Sequence, residues 1–348
     1  MAGGAGTRFW PMSTEALPKQ FIDILGEGRS LLRATFERSL QLVPASQIWV
    51  VTHEKYAEIV QKDLPEINKD HILSEPQRKN TAPAIAFAAY SIEAQHPEAI
   101  MVVLSSDHLI QKEESLTQAL QTAADFADSS EGLFTLGIQP DSPHTGYGYI
   151  EKGEKIAESV FKVSRFVEKP EANTAKEYLQ SGRYLWNAGI FIWKISAFKK
   201  ALMLYANELF LTFEAAAQRM VGKSQNPEWV IPVFDTCKNI SIDYAVLEAA
   251  DNVHTIEADL GWSDLGTWGA LYDYSEKDAQ GNVSFNRTVV QSDSTNCIVH
   301  LNSGKKAIIR GLDGYVVAET PEGLLIYPLD QEQGIRKSLD ELQKLNNL

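Results

Sequence analysis

Apolar residues recur along this chain at two spacings. Leu31, Leu32, Phe36, Leu40 and Val43 follow the step of a helix that buries one face. Short apolar runs at 48–51, 72–74, 100–104 (IMVVL) and 133–138 read as strands. The continuous run at 100–104 has the texture of a strand covered on both faces. A polar helix fits 54–63 and a further helix 116–127. Between them an alanine-rich helix, AIAFAAYSIEA, follows Thr81 as its cap, with Pro83 in its first turn. Strand and helix alternate, which predicts an α/β domain. After residue 138 the alternation breaks. TGYGYI (145–150) reads as extended, with Gly146 and Gly148 marking a close approach to a ligand or backbone. Further strands fit 160–167 and WNAGIFIW (186–193), and helices fit 196–220 and 241–250, the latter capped by Ser241. From 289 to 328, short β-branched runs alternate with Asn-Ser-Gly, Asp-Gly and Glu-Gly turns, predicting an all-β appendage before a polar helix from 331. The expected division is 1–273 and 274–348.

Composition narrows the function classes. The chain has 348 residues, 44% of them hydrophobic, as in a soluble globular protein with a real core. No apolar run approaches the roughly eighteen residues of a membrane span, and no basic-then-apolar leader is present. Cys237 and Cys297 are too few for a disulfide framework or a thiolate zinc site, so a reduced cytoplasm is expected. A net charge of −14 argues against nucleic-acid polymers, yet leaves room for a small anion held by local cations.

The densest chemistry lies in MAGGAGTRFWPMSTEALPKQ. Gly3, Gly4 and Gly6 let backbone N–H groups wrap an anion, and Arg8 and Lys19 add positive charge. The run lacks the third glycine of a dinucleotide fingerprint, having Phe9 there, and the Gly-Lys-Ser at 222–224 lacks the first glycine of a P-loop. Such a glycine loop ordinarily follows a buried strand, so a first strand before Ala2 is expected to be missing. Arg78, Lys79 and Asn80 sit at a helix N-terminus suited to polar ligand groups, or make a solvated turn. Asp107 follows a strand, where α/β sheets place ligands, or caps a helix. His108 reads as a packing residue. Asn187 is a buried-polar candidate that must find a partner. Asp243 favours a helix dipole, and Asp264 stands in GWSDLGTW with no apolar face requiring it.

Eight segments in one order, AGGAGTRFWP with PKQF, EPQRKNTAPA, SSDHLI, TGYGYI, FVEKP, WNAGIFIW, SIDYAVLE and GWSDLGTW, resemble the sugar-nucleotide pyrophosphorylases over nearly the whole chain. NTAPA and WNAGIF resemble the mannose, guanine branch. The resemblance implies a Rossmann-like nucleotidyltransferase domain with a GT-A-like mixed sheet, followed by a short left-handed β-helix segment. It implies a reaction between GTP and mannose 1-phosphate, with Mg²⁺ held by Asp107 and Asp264. It gives Gly3, Gly4, Gly6 and Arg8 to the triphosphate, Lys19 to the attacked phosphate and leaving group, and Lys169 to the sugar phosphate. Asn80 and Thr81 would read guanine; Gly148, Glu168, Asn187 and Asp243 would meet the sugar. A homodimer stays open, and so does a sibling enzyme with another sugar or base. Some bacterial family members carry a C-terminal isomerase domain; the chain ends too early for one, so a single activity is expected. A GT-A glycosyltransferase should show D-x-D where Ser105, Ser106 and Asp107 stand, and a regulatory subunit should lack the charged site residues.

Overall fold

The computed structural model of the chain describes residues 1–4, 7–218, 229–285, 289–302 and 304–346. Two compact units result. A sheet unit takes Met1–Gly3, Thr35–Ser106 and Ile110–Trp262; a coil unit takes Gly4–Ala34, Asp107–Leu109 and Ser263–Leu348. The division thus crosses the chain several times, and the amino-terminal loop belongs largely with the carboxy-terminal part.

The sheet unit is built on β1 (Val50–His53), β2 (Ile72–Glu75), β3 (Ile100–Val103), β4 (Leu133–Ile138), β5 (Tyr149–Lys155), β6 (Val160–Val167), β7 (Tyr184–Lys194) and β8 (Val253–Glu257). Six of them run in the order β3-β7-β4-β8-β6-β5, with β5 also pairing β7. The sheet is mixed: β4 and β8 are parallel, whereas β7 is antiparallel to β3, β4 and β5. β1 and β2 pair in parallel. Met1 and Ala2 span the gap to β3, with Ala2 N–H donating to Val51 O at 2.7 Å, Met1 N to Leu104 O at 2.7 Å and Ser106 N–H to Met1 O at 3.0 Å.

Alternation along β7 sorts its side chains between two cores. Leu185, Phe191 and Trp193 join one with the helix Thr81–Glu93; Trp186, Ala188, Ile190 and Ile192 join the other with the helix Glu113–Asp128. Asn187 falls on the Leu185 face, as does Thr135 of β4. The helix Thr81–Glu93 is buried from Ala82 to Ser91, which its small alanines permit by letting it lie close on the sheet.

Several expectations are corrected. β3 is fully covered on one face, by the burial of Met101 and Val103; on the other, Ile100 and Leu104 pack half-buried against the second core while Val102 is 37% exposed at this outer strand. TGYGYI is not one strand: Thr145 and Gly146 turn, and extended pairing starts at Tyr149. The cap of the alanine-rich helix is Asn80, whose Oδ1 accepts from Thr81 N–H at 2.8 Å. The helix expected at 241–250 is a single π turn, Asp243–Leu247. The expected helix 196–220 is two, Ile195–Tyr205 and Asn207–Ala217, and its end at Met220 lies outside the described residues, as do residues 222–224.

The coil unit contains the predicted β segment. β9 (Val283–Ser284), β11 (Ile298–His300) and β13 (Tyr315–Thr320) stack in parallel, as do β10 (Val289–Ser292) and β12 (Ala307–Arg310). Ile298 lies against Val316 and Val289 against Ala307, a coil of about eighteen residues. β14 (Gly323–Pro328) folds back antiparallel on β13. Phe9, Met12, Ile24, Leu265, Trp268, Ile298 and Val316 share one core, which fastens the amino-terminal loop and GWSDLGTW to the coil. The last described element is the helix Ile335–Asn346. Cys237 and Cys297 are free and buried. No described helix is long and apolar enough to cross a membrane.

Candidate functional site

Each unit gathers its own set of predicted residues. In the coil unit the centre is Lys19, 8% exposed. It opens a 3-10 turn after Pro18, Lys19–Phe21, which commits its side chain inward. Its ammonium meets Asp107 Oδ2 at 3.1 Å and donates to the backbone oxygens of Asp264 at 2.7 Å and Leu265 at 3.2 Å. An ammonium has three donors, and all three go to the two loops that carry the expected metal-binding acids. Asp107 is itself partly buried. Burial pushes its carboxyl up, but Lys19 beside it prevails and holds it below the usual carboxylate range. His108 stays neutral more readily than usual: burial lowers it against the attraction of Asp107.

The Asp264 loop is shaped by its neighbours. Asp264 Oδ1 accepts from Gly266 N–H at 2.9 Å, and Leu265 N–H donates to Ser263 Oγ at 3.1 Å. A Cβ on Gly266 would lie 2.7 Å from Asp264 Oδ2, so this carboxylate needs glycine two residues on. Leu265 is fully buried and holds φ at +42°, a left-handed conformation costly for leucine. Gly4 O accepts from Gln20 Nε2 at 3.0 Å, and a Cβ on Gly4 would come within 3.9 Å of Asp107 Oδ2. Arg8 is exposed on the 3-10 turn Thr7–Phe9. Gly6 lies outside the described residues.

In the sheet unit the expected nucleotide and sugar residues are joined by one segment, 240–243. Thr81 Oγ1 accepts from Ile242 N–H at 2.8 Å, and Ala82 N–H donates to Ile240 O at 3.2 Å. The next residue, Asp243, accepts from Asn187 Nδ2 at 3.1 Å. Asn187 Oδ1 accepts from Gly189 N–H at 3.1 Å, and Thr135 Oγ1 stands 3.0 Å from it. Asn187 N–H donates to Gly148 O at 2.8 Å. A Cβ on Gly148 would fall 2.5 Å from Glu168 Oε2, so glycine is what lets that carboxylate lie against the strand. Glu168 pairs with Lys169, whose backbone is left-handed at φ +48°, and Glu168 N–H donates to Glu248 Oε1 at 3.1 Å. Burial, then the nearby Glu168 carboxylate, raises Asp243 to about 6. Asp243 thus stands in the first turn of its π segment, as the dipole reading has it, and also reaches the sheet face through Asn187.

Two residues escaped the sequence reading. Glu75 ends β2, is 5% exposed, and is raised by burial to about 7 despite Met1's amine and Arg78. A Cβ on Gly3 would stand 3.4 Å from its Oε2. Its signal was the acid opening EPQRKNTAPA, a segment whose reading rested on Arg78, Lys79 and Asn80. Gln20, 1% exposed, is the third residue of PKQF and holds the glycine loop through Gly4 O.

Known proteins match this chain along almost all of it. The nucleotidyl transferase family model matches residues 1–281. Mannose-1-phosphate guanylyltransferase of Klebsiella pneumoniae is 35% identical, over 99% of this chain and 73% of its own length. The Salmonella typhimurium protein of that description is 36% identical, over 99% of this chain and 72% of its own. A crystal structure described as mannose-1-phosphate geranyltransferase from Thermus thermophilus has a TM-score of 0.86 at 29% identity, covering 99% of this chain and 98% of that one.

Proposed function

This chain belongs to the nucleotidyl transferase family, and from that premise we propose how its residues divide the work. The reaction is transfer of GMP from GTP to α-D-mannose 1-phosphate, giving GDP-mannose and pyrophosphate, the activity for which its full-length relatives are named. A phosphate oxygen of the sugar phosphate forms a bond to the α-phosphorus of GTP as the bond to the β-phosphate oxygen breaks in line. Both reactants are anions, so positioning and neutralisation carry most of the catalysis.

The observation that carries the assignment is that Asp107 and the Asp264 loop meet on one ammonium, Lys19 Nζ. Two hard carboxylates are fewer ligands than a protein-only cage needs, and no group of three or more His, Cys, Asp or Glu is assembled among the described residues. That donor set fits Mg²⁺, which keeps water and substrate phosphates in its shell. When bound, the cation would supply charge neutralisation on the triphosphate. Lys19 keeps Asp107 ionised for that role and ties its loop to that of Asp264. Arg8 and the amides of Gly3, Gly4 and Gly6 would hold the β- and γ-phosphates. Lys169, now paired with Glu168, would turn to the sugar phosphate. Asn80 and Thr81 would meet guanine at the helix N-terminus. Glu168, Asn187 and Asp243, with the space left by Gly148, would serve mannose. Residues 1–273 would carry these roles, with 274–348 as a left-handed β-helix support.

Purified protein with Mg²⁺, each of the four NTPs and a panel of sugar 1-phosphates tests the reading through pyrophosphate release. GTP with mannose 1-phosphate should exceed every other pair by at least about tenfold in kcat/KM. Preference for another pair would assign the chain a different sugar or base.

A further inference from the structure

Asn187 is held at both ends of its amide. Gly189 N–H can only donate, and it donates to Oδ1 at 3.1 Å. Asp243 Oδ1 accepts from Nδ2 at 3.1 Å. A flipped amide would set nitrogen against N–H and oxygen against carboxylate, so a single orientation survives. Nδ2 carries two hydrogens. One goes to Asp243, no described residue accepts the other, and Asn187 is only half-buried. Asp243 is better hidden, 9% exposed, and its segment is pinned by the Ile242 N–H bond to Thr81 Oγ1 at 2.8 Å. The acid is therefore placed to act through the asparagine.

We propose that Asp243 is a positioning residue that makes Asn187 an obligate hydrogen-bond donor to one hydroxyl oxygen of the sugar, and so fixes which hydroxyl pattern this subsite accepts. The proposal rests on the mannose 1-phosphate reading above. It divides the sugar site into a donor, Asn187, and an acceptor, the Glu168 carboxylate. Glu168 lies on the same patch, 2.5 Å from where a Cβ on Gly148 would be, while Asn187 Cβ lies 3.3 Å from that point.

The test is steady-state kinetics with mannose 1-phosphate and its 2-, 3-, 4- and 6-deoxy analogues. The wild-type protein should lose about tenfold in kcat/KM with the one analogue that lacks the recognised oxygen. Asp243→Ala should raise the KM for mannose 1-phosphate about tenfold, leave the KM for GTP unchanged, and no longer distinguish that analogue. Asp243→Asn, whose amide oxygen still accepts from Asn187, should restore the discrimination. Asn187→Asp keeps the shape without a donor and should lose it, which covers the case of an alanine variant that does not fold. Discrimination kept in Asp243→Ala or Asn187→Asp, or both substrate KM values rising together, would overturn the proposal. If the wild-type protein does not turn over mannose 1-phosphate with GTP, the functional reading fails and takes this proposal with it. If it does and the variants match it, this proposal alone fails.

Discussion

The two units shift their acids in opposite directions. In the coil unit, Lys19 at 3.1 Å holds Asp107 below the ordinary carboxylate range although burial works against it. In the sheet unit, no cation among the described residues comes as close to Asp243 or Glu75, and burial lifts them to about 6 and about 7. The same functional group is thus sorted by one neighbour. An acid held ionised beside backbone oxygens suits a cation. An acid shifted toward its neutral form suits hydrogen bonding to uncharged groups, here the Asn187 amide.

The contrast can be broken most forcefully at the charged acids. Asp107→Asn and Asp264→Asn should each lower kcat by about 10³-fold or more with the fold intact by circular dichroism. Retained turnover in either would remove that residue from the cation's shell. Glu75→Gln tests the other side through stability. The folded pKa, about 7, lies above the ordinary glutamate value, so the folded protein loses stability as pH rises from about 4.5 to about 7. The glutamine variant should lack that loss and gain up to about 3 kcal/mol at pH 8, read by urea unfolding. An equal pH dependence in both proteins would place the titration elsewhere.

Lys19→Met sharpens the comparison by removing the neighbour that does the sorting. It strands Asp107 and the carbonyls of Asp264 and Leu265, and should cost about 2 kcal/mol of stability, read by the same urea unfolding. Gly148→Ala is the mildest change. Its methyl group would force Glu168 aside, raising the sugar-phosphate KM about tenfold and costing about 1 kcal/mol in stability.

Periodicity made most of the scaffold legible. β4 and β6 occupy the spans read from their apolar runs, and alternation alone puts Asn187 and Thr135 on one face. The motif residues were legible because unusual chemistry in an apolar setting needs a reason, as with Asp264 in GWSDLGTW. What stayed hidden depends on contacts between distant segments. That Lys19 reaches two backbone oxygens some 245 residues away follows from tertiary packing, not from any local pattern. Asp243 was legible as an acid in a helical first turn, but its tie to Asn187, which bridges two elements, was not. Glu75 was passed over because burial is invisible in a single charged letter.

The central claim is that Asp107 and Asp264 ligate one divalent cation with the nucleotide. Crystals of the protein grown with Mn²⁺ and a non-reactive GTP analogue would locate the metal by its anomalous scattering. Manganese about 2 Å from a carboxylate oxygen of both residues is the predicted result. A metal held by neither, or by only one of the two, would contradict the account.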